Sequence, residues 1–293
     1  MAEVIGWIND AVSFFQTLES LIPGSQASYS TVRVEAGLNG NGLSGADGTI
    51  SMIRIYDNNQ NLIGQTDGGY VSSGGYSDFN IEQSGNEQAV FAQIYASNDA
   101  VCVSYASTSW TDGSQYAWVG DWGYLCGLPW YYGNVYVDNG GYAPRCTWID
   151  GDDTNGLYAQ SLLIDWTSFV ESDQNSSPNS DPNSYCGYPA LRSYTSSGGE
   201  VVKRDKTPKL DSRLVISSAA SHNATELCSS ETSRGPDLVS MAEGVFCDMA
   251  TKEVMPLCDE GTKQGCFHVD SRTKLLSNET THAKPYTKVL QWK

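Results

Sequence analysis

The chain has 293 residues, 17% of them charged, and a formal net charge of −17; that length gives one large domain or two ordinary ones, each able to bury a core. Residues 1–200 hold four basic residues (Arg33, Arg54, Arg145, Arg192) against 22 acids, a net of −18, whereas residues 201–293 hold 13 basic against 12 acidic, a net of +1. So negative a field excludes nucleic acid and anionic lipid as partners, and two compositions in one chain predict two modules.

The opening segment has no basic start and carries Glu3, Asp10 and Glu19, so it is not a signal peptide; a secreted chain is expected with its signal removed. Residues 1–24 are apolar at helical spacing, including Trp7, Ile8, Phe14, Phe15, Leu18 and Ile22, and Pro23-Gly24 ends the pattern. An amphipathic helix is predicted. Its polar face lacks Lys and Arg, which disfavours lipid. The stripe is expected to self-associate, giving a homo-oligomer or polymer, with packing on the chain's own β-domain as the alternative.

From residue 25 to 170 the apolar period becomes two. "TVRVEAGL" sets Val32, Val34, Ala36 and Leu38 against Arg33 and Glu35, and "AVFAQIYAS" sets Val90, Ala92, Ile94 and Ala96 against Phe91, Gln93 and Tyr95. "SMIRIYD", "SDFNIE", "AVCVSYAS", "NVYVD", "RCTWID" and "SLLIDW" continue the series between turn signals such as "NGNG" and "TDGG". The fold class predicted is mainly β: an antiparallel β-sandwich preceded by the helix and followed by a small disulfide-stapled α+β module.

Within this region "WVGDWGYLCGLPWYYGNVYVDNG" (118–140) concentrates flat rings among tight turns. Trp118, Trp122, Trp130, Tyr131, Tyr132 and Tyr136 are the expected platform for a carbohydrate or a cell-surface protein, since such rings join rigid faces to hydrogen-bonding tips. The alternative is that they plug the ends of the sandwich. "DGDDTNG" (150–156) makes Asp150, Asp152 and Asp153 weak Ca²⁺ candidates, but Thr154 and Asn155 break the EF-hand pattern. An acidic turn is favoured, and neither metal nor cofactor is expected.

Residues 171–212, rich in Ser, Asn, Pro and Gly, predict an exposed linker. Lys203-Arg204 within it is a dibasic processing candidate. The module at 213–293 is predicted to begin with the strand "RLVIS" and a short Ser-capped helix in "SHNATELCSS"; "GPDLVSMAEGVFCDM" reads as a second helix or a turn into a strand.

Cys102, Cys126, Cys146 and Cys186 precede the linker; Cys228, Cys247, Cys258 and Cys266 follow it. Two even sets without a C-x-x-C pair predict disulfides within each module, three connectivities being open to each set, in an oxidising compartment. Sequons at Asn175, Asn223 and Asn278 agree with secretion to the cell exterior.

Histidine occurs only at 222, 268 and 282, so the β-domain holds no His-based triad. A non-catalytic role in binding or self-assembly is expected; a membrane-active toxin and a carbohydrate-active hydrolase are the alternatives. At "YAWVGDWGYLCGLPWYYGNVYV", "CTWIDGDDTNG" and "LCSSETSRGPDLVSMAEGVFCDMATKEVMPLCDEGTKQGCF" the chain resembles secreted two-module proteins of filamentous ascomycete fungi. That resemblance implies an extracellular fungal setting and the paired layout, and brings no catalytic residues with it.

Overall fold

The computed structural model describes residues 21–25, 28–38, 45–83, 85, 87–137, 141–154, 156–169, 182–187, 189–195, 211–276 and 281–292. Trp7, Ile8, Phe14, Phe15 and Leu18, the sequons at Asn175 and Asn278, and Lys203-Arg204 lie outside the described residues. The protein is mainly β. It divides into two compact units, the break falling between residues 205 and 206.

In the first unit the strands are β1 (Tyr29–Ala36), β2 (Gly48–Tyr56), β3 (Leu62–Val71), β4 (Tyr76–Glu82), β5 (Phe91–Ala96), β6 (Val101–Ser109), β7 (Gln115–Val119), β8 (Trp130–Tyr131), β9 (Cys146–Ile149), β10 (Ser161–Asp165) and β11 (Leu191–Tyr194). A short helix, α1 (Asp121–Leu125), follows β7. One sheet has the order β4-β1-β6-β9-β8, with β7 also on β6; the other is β11-β10-β5-β2-β3. Every pairing in both is antiparallel. Strand alternation turns Val32 and Val34 of the first sheet, and Ile53, Ile55, Ile94 and Leu162 of the second, into one shared core. Each such side chain contributes about 1.5–3 kcal/mol when fully buried.

The polar faces depart from expectation. Arg33 and Glu35, set by the alternation on the polar side, are buried, as is Thr31 beside them. The last residues of the segment predicted as a helix lie on that face: Ser107 Oγ donates to Leu21 O at 2.8 Å, and Ser109 Oγ donates to Pro23 O. Ile22 belongs to this unit's own core, which removes it from the set expected to self-associate. Arg33 meets both Asp78 oxygens, at 2.6 and 2.8 Å, and stacks 3.8 Å from the Tyr76 ring.

Glu35 has no such full compensation. Burial pushes its carboxyl up to about 7, against the pull of the Arg33 charge and a Tyr105 hydrogen bond. Asp150, also raised by burial, reaches about 6. The folded state therefore keeps a proton on Glu35 that the unfolded chain releases near 4.5, so stability falls as pH rises from about 4.5 to about 7. Glu35→Gln is expected to flatten that limb and to raise stability at pH 8 by up to about 3 kcal/mol. Chemical denaturation at pH 5 and pH 8 checks it; an unchanged slope in the variant contradicts it.

Cys102–Cys146 and Cys126–Cys186 close the first unit, and Cys228–Cys247 and Cys258–Cys266 the second. All eight cysteines are paired within their own set, as predicted. The expected linker is too long, because β11 pairs with β10 and belongs to the second sheet. Leu191 and Ser193 point inward there, but four residues among Ser, Gly and Pro give too short an alternation to read. "NVYVD", predicted as a strand, is not one over its described residues, 134–137.

The second unit is α+β. Its strands are β12 (Arg213–Ser217), β13 (Asp237–Ser240), β14 (Val245–Asp248), β15 (Glu253–Pro256), β16 (Cys266–His268), β17 (Thr273–Leu275), β18 (Thr281–Ala283) and β19 (Lys288–Trp292), with a helix α2 (Ala224–Ser229) between β12 and β13. The main sheet runs β15-β14-β13-β12-β19, parallel on both sides of β12; β16-β17-β18 is a separate antiparallel sheet. Asn223, not a serine, caps α2: its Oδ1 accepts from Glu226 N at 2.6 Å. The ambiguous stretch 235–249 is the β13–β14 hairpin.

Candidate functional site

The aromatic run does not form a platform. Trp118, Trp122, Trp130, Tyr131 and Tyr132 are all buried, and only Tyr136, at 47% relative exposure, remains open. Trp122 packs on Phe169 and Tyr185, with centroids 5.2 and 4.4 Å away. Trp130 meets Tyr124 at 4.7 Å and Tyr132 at 5.2 Å.

These last three rings surround a cation from the same chain. The Arg145 guanidinium lies 4.3 Å from the Tyr124 centroid, 5.3 Å from Trp130 and 5.5 Å from Tyr132, where the negative ring faces attract it. Buried Asp121 balances the charge, accepting from Arg145 Nη1 at 2.8 Å and from the Tyr142 hydroxyl at 2.7 Å. Gly123 sits where a Cβ would collide with the Thr147 side chain, so the turn needs glycine to bring α1 against β9. Three rings of the run thus form a cage around half-buried Arg145, beside the Cys126–Cys186 and Cys102–Cys146 bridges.

The open site lies on the outer face of the second sheet. A cleft of about 210 Å³ is lined by Tyr56, Gln60, Phe91, Gln93, Leu163, Arg192 and Tyr194. Phe91, Gln93 and Leu163 are buried and make its floor; Tyr56, Arg192 and Tyr194 are half-buried and, with exposed Gln60, make its rim. Its size suits one ring-sized group, below the roughly 300–1,000 Å³ of sites for drug-sized ligands.

Strand register builds the floor. Arg54 pairs with Gln93, Gln93 with Leu163, and Leu163 with Arg192, so these four side chains form one row across β2, β5, β10 and β11. Hydrogen bonds tie the row together. Tyr56 donates to Gln93 Oε1 at 3.1 Å, and Gln93 Nε2 donates to Ser161 Oγ at 3.1 Å. Burial, reinforced by Tyr95, raises the Tyr56 hydroxyl above its ordinary range, so it stays a neutral donor.

Two local devices place the rim. Asp57 Oδ1 accepts from the backbone of Asn59 and Asn61, both at 2.8 Å, which folds the turn that presents Gln60. On the other side, Gly187 and Leu191 exchange backbone hydrogen bonds of 2.7 and 3.1 Å beside the Cys126–Cys186 bridge. That disulfide therefore anchors the edge strand that supplies Arg192 and Tyr194.

No carboxylate is found among the described residues lining the cleft. Among the Ca²⁺ candidates, Asp150 Oδ2 accepts from Thr154 N and Oγ1 at 3.1 and 3.0 Å, and Asp152 Oδ1 accepts from the same Thr154 N at 3.2 Å, as in an acidic turn. No group of three or more His, Cys, Asp or Glu placed to hold a metal occurs among the described residues. In the second unit Ser217 Oγ lies 2.7 Å from His222 Nδ1, but both are buried and Ser217 Oγ also accepts from Ala219 N, so the pair ties a loop. No helix among the described residues is long and apolar enough to cross a membrane.

Sequence reasoning missed the cleft, although Phe91, Gln93 and Tyr95 on the polar side of one strand carried its signal. No protein-family model matches the chain, and no curated protein is significantly similar to it.

Proposed function

We propose that the chain is a secreted, non-catalytic binding protein whose first unit takes a sugar ring in the cleft on its second sheet. In this reading the two sheets are the layers of a β-sandwich preceded by an N-terminal helix. Four disulfides support an oxidising, extracellular setting, and exposed Asn223 offers a glycan site there.

The observation that carries the reading is the cleft's composition. Tyr56, Phe91 and Tyr194 supply flat faces for the C–H side of a ring; Gln60, Gln93 and Arg192 supply planar hydrogen-bonding groups for its hydroxyls. A hydrolase would need a pair of carboxylates flanking the bond it cleaves, and the described lining offers none.

Glycan-array screening followed by calorimetric titration tests the reading. Tyr194→Ala is expected to weaken the best ligand by about tenfold or more, while Tyr136→Ala leaves it unchanged. The proposal fails if no glycan binds, or if Tyr136→Ala is the variant that abolishes binding.

A further inference from the structure

We infer that Lys252, in the second unit, is a site of covalent modification: an amine placed to condense with small aldehydes, open-chain reducing sugars included. It lies in the other unit from the cleft and does not depend on the sugar-binding reading.

The turn between β14 and β15 positions it. Asp248 pairs with Glu253 across the hairpin, which leaves residues 249–252 to reverse the chain. Asp248 Oδ1 accepts from the backbone N–H of Ala250 at 3.0 Å and of Thr251 at 3.3 Å and shapes the first half. Lys252 closes the turn at a φ of 57°, a left-handed backbone that glycine or asparagine adopts at lower cost. From there its Nζ reaches the loop after α2, donating to Ser233 O at 3.1 Å and to Ser233 Oγ, and lies 3.6 Å from the Met249 thioether.

This nest supplies hydrogen-bond acceptors but no counter-ion. The carboxylates that flank the turn are engaged elsewhere: Asp248 is shared by Lys274 and Lys284, and Glu253 accepts from Lys274. Among the described residues the charge that acts on Lys252 is another cation, Arg234. Burial, reinforced by Arg234, brings the half-buried amine down to about 8. About a tenth of it is then neutral at pH 7, against under about a thousandth for a lysine of ordinary pKa.

Ser233 is not the nucleophile of the pair. It has no exposed surface, and its hydroxyl donates to Leu227 O at 2.6 Å, so it receives the Lys252 N–H and does not hand over its own proton. The reactive atom is Nζ. Its lone pair attacks the carbonyl carbon of the aldehyde, and the carbonyl oxygen takes up a proton to give a carbinolamine. Loss of water then leaves a C=N bond, both amine protons departing with the oxygen, and no oxidant or reductant is consumed.

The probe is glycolaldehyde, supplied to the full chain at pH 7 in less than equimolar amount, with cyanoborohydride to reduce each imine to a stable secondary amine. Peptide mapping by mass spectrometry ranks the lysines. Lys252 is expected to be labelled about tenfold or more faster than Lys263, Lys274, Lys284 or Lys288. In guanidinium with the disulfides reduced, that preference should disappear. Labelling of Lys252 in the folded chain no faster than these four overturns the inference. So does a preference that persists in the unfolded chain, because it would arise from the local sequence and not from the nest.

Discussion

Trp130→Ala is expected to destabilise the first unit by about 3–5 kcal/mol, the range for removing a fully buried large aromatic. Trp130 has no exposed surface, packs edge-on against Tyr124 and Tyr132, and forms one wall of the Arg145 cage. The cost combines lost apolar burial, a cavity, and a guanidinium deprived of one ring face. Urea denaturation followed by near-ultraviolet circular dichroism measures it. A variant of unchanged stability that has lost ligand binding would contradict the cage and restore the run 118–140 as a binding surface.

The second large effect lies in the other unit. Asp248 is 1% exposed and is held by two lysines, Lys274 Nζ at 2.6 Å and Lys284 Nζ at 2.5 Å, and by the backbone N–H of Ala250 at 3.0 Å. Lys284 also reaches Asp237 Oδ2 at 2.9 Å, where the Tyr286 hydroxyl donates at 2.6 Å. Burial alone would raise the Asp248 carboxyl, but the two lysines outweigh it and hold the group below its ordinary range. Its contribution is therefore present above the ordinary carboxylate range and is lost as pH falls through the depressed folded value. Asp248→Ala removes the buried anion that the two lysines share, leaving buried Lys274 with Glu253 and half-buried Lys284 with Asp237, and is expected to cost about 3 kcal/mol. Asp248→Asn keeps the shape and should still lose most of that. Hydrogen exchange across β13 and β14 reads the effect locally; protection equal to the parent's in both variants would show that the lysines find other partners.

Much of the β architecture was legible because its cause is local. Alternation in "TVRVEAGL" and "AVFAQIYAS" reports which side chains share the core, and the core cluster contains Val32, Val34, Ala36, Val90, Ala92, Ile94 and Ala96. The two sets of four cysteines, separated by a Ser/Asn-rich stretch, likewise marked disulfides that stay within each unit.

What was not legible depends on contacts between distant segments. Arg33 and Glu35 alternate as a solvent face should, yet both are buried, and Leu21 and Pro23 return to bond Ser107 and Ser109 on the neighbouring strand. Composition cannot separate an aromatic platform from an aromatic cage: the difference is Arg145, lying on the far side of a turn from most of the run. The cleft draws on four strands and one turn between residues 56 and 194, so no window of sequence contains it. Only the outward trio Phe91, Gln93 and Tyr95 showed that the second sheet's polar face is not an ordinary solvated one.

The most direct test of the central claim is a chemical-shift map of the full, isotopically labelled chain titrated with its best array ligand. The account predicts shifts concentrated on Tyr56, Gln60, Gln93, Arg192 and Tyr194, with the indole signals of Trp118, Trp122 and Trp130 unmoved. Shifts centred on residues 118–140, with the outer face of the second sheet silent, would contradict it.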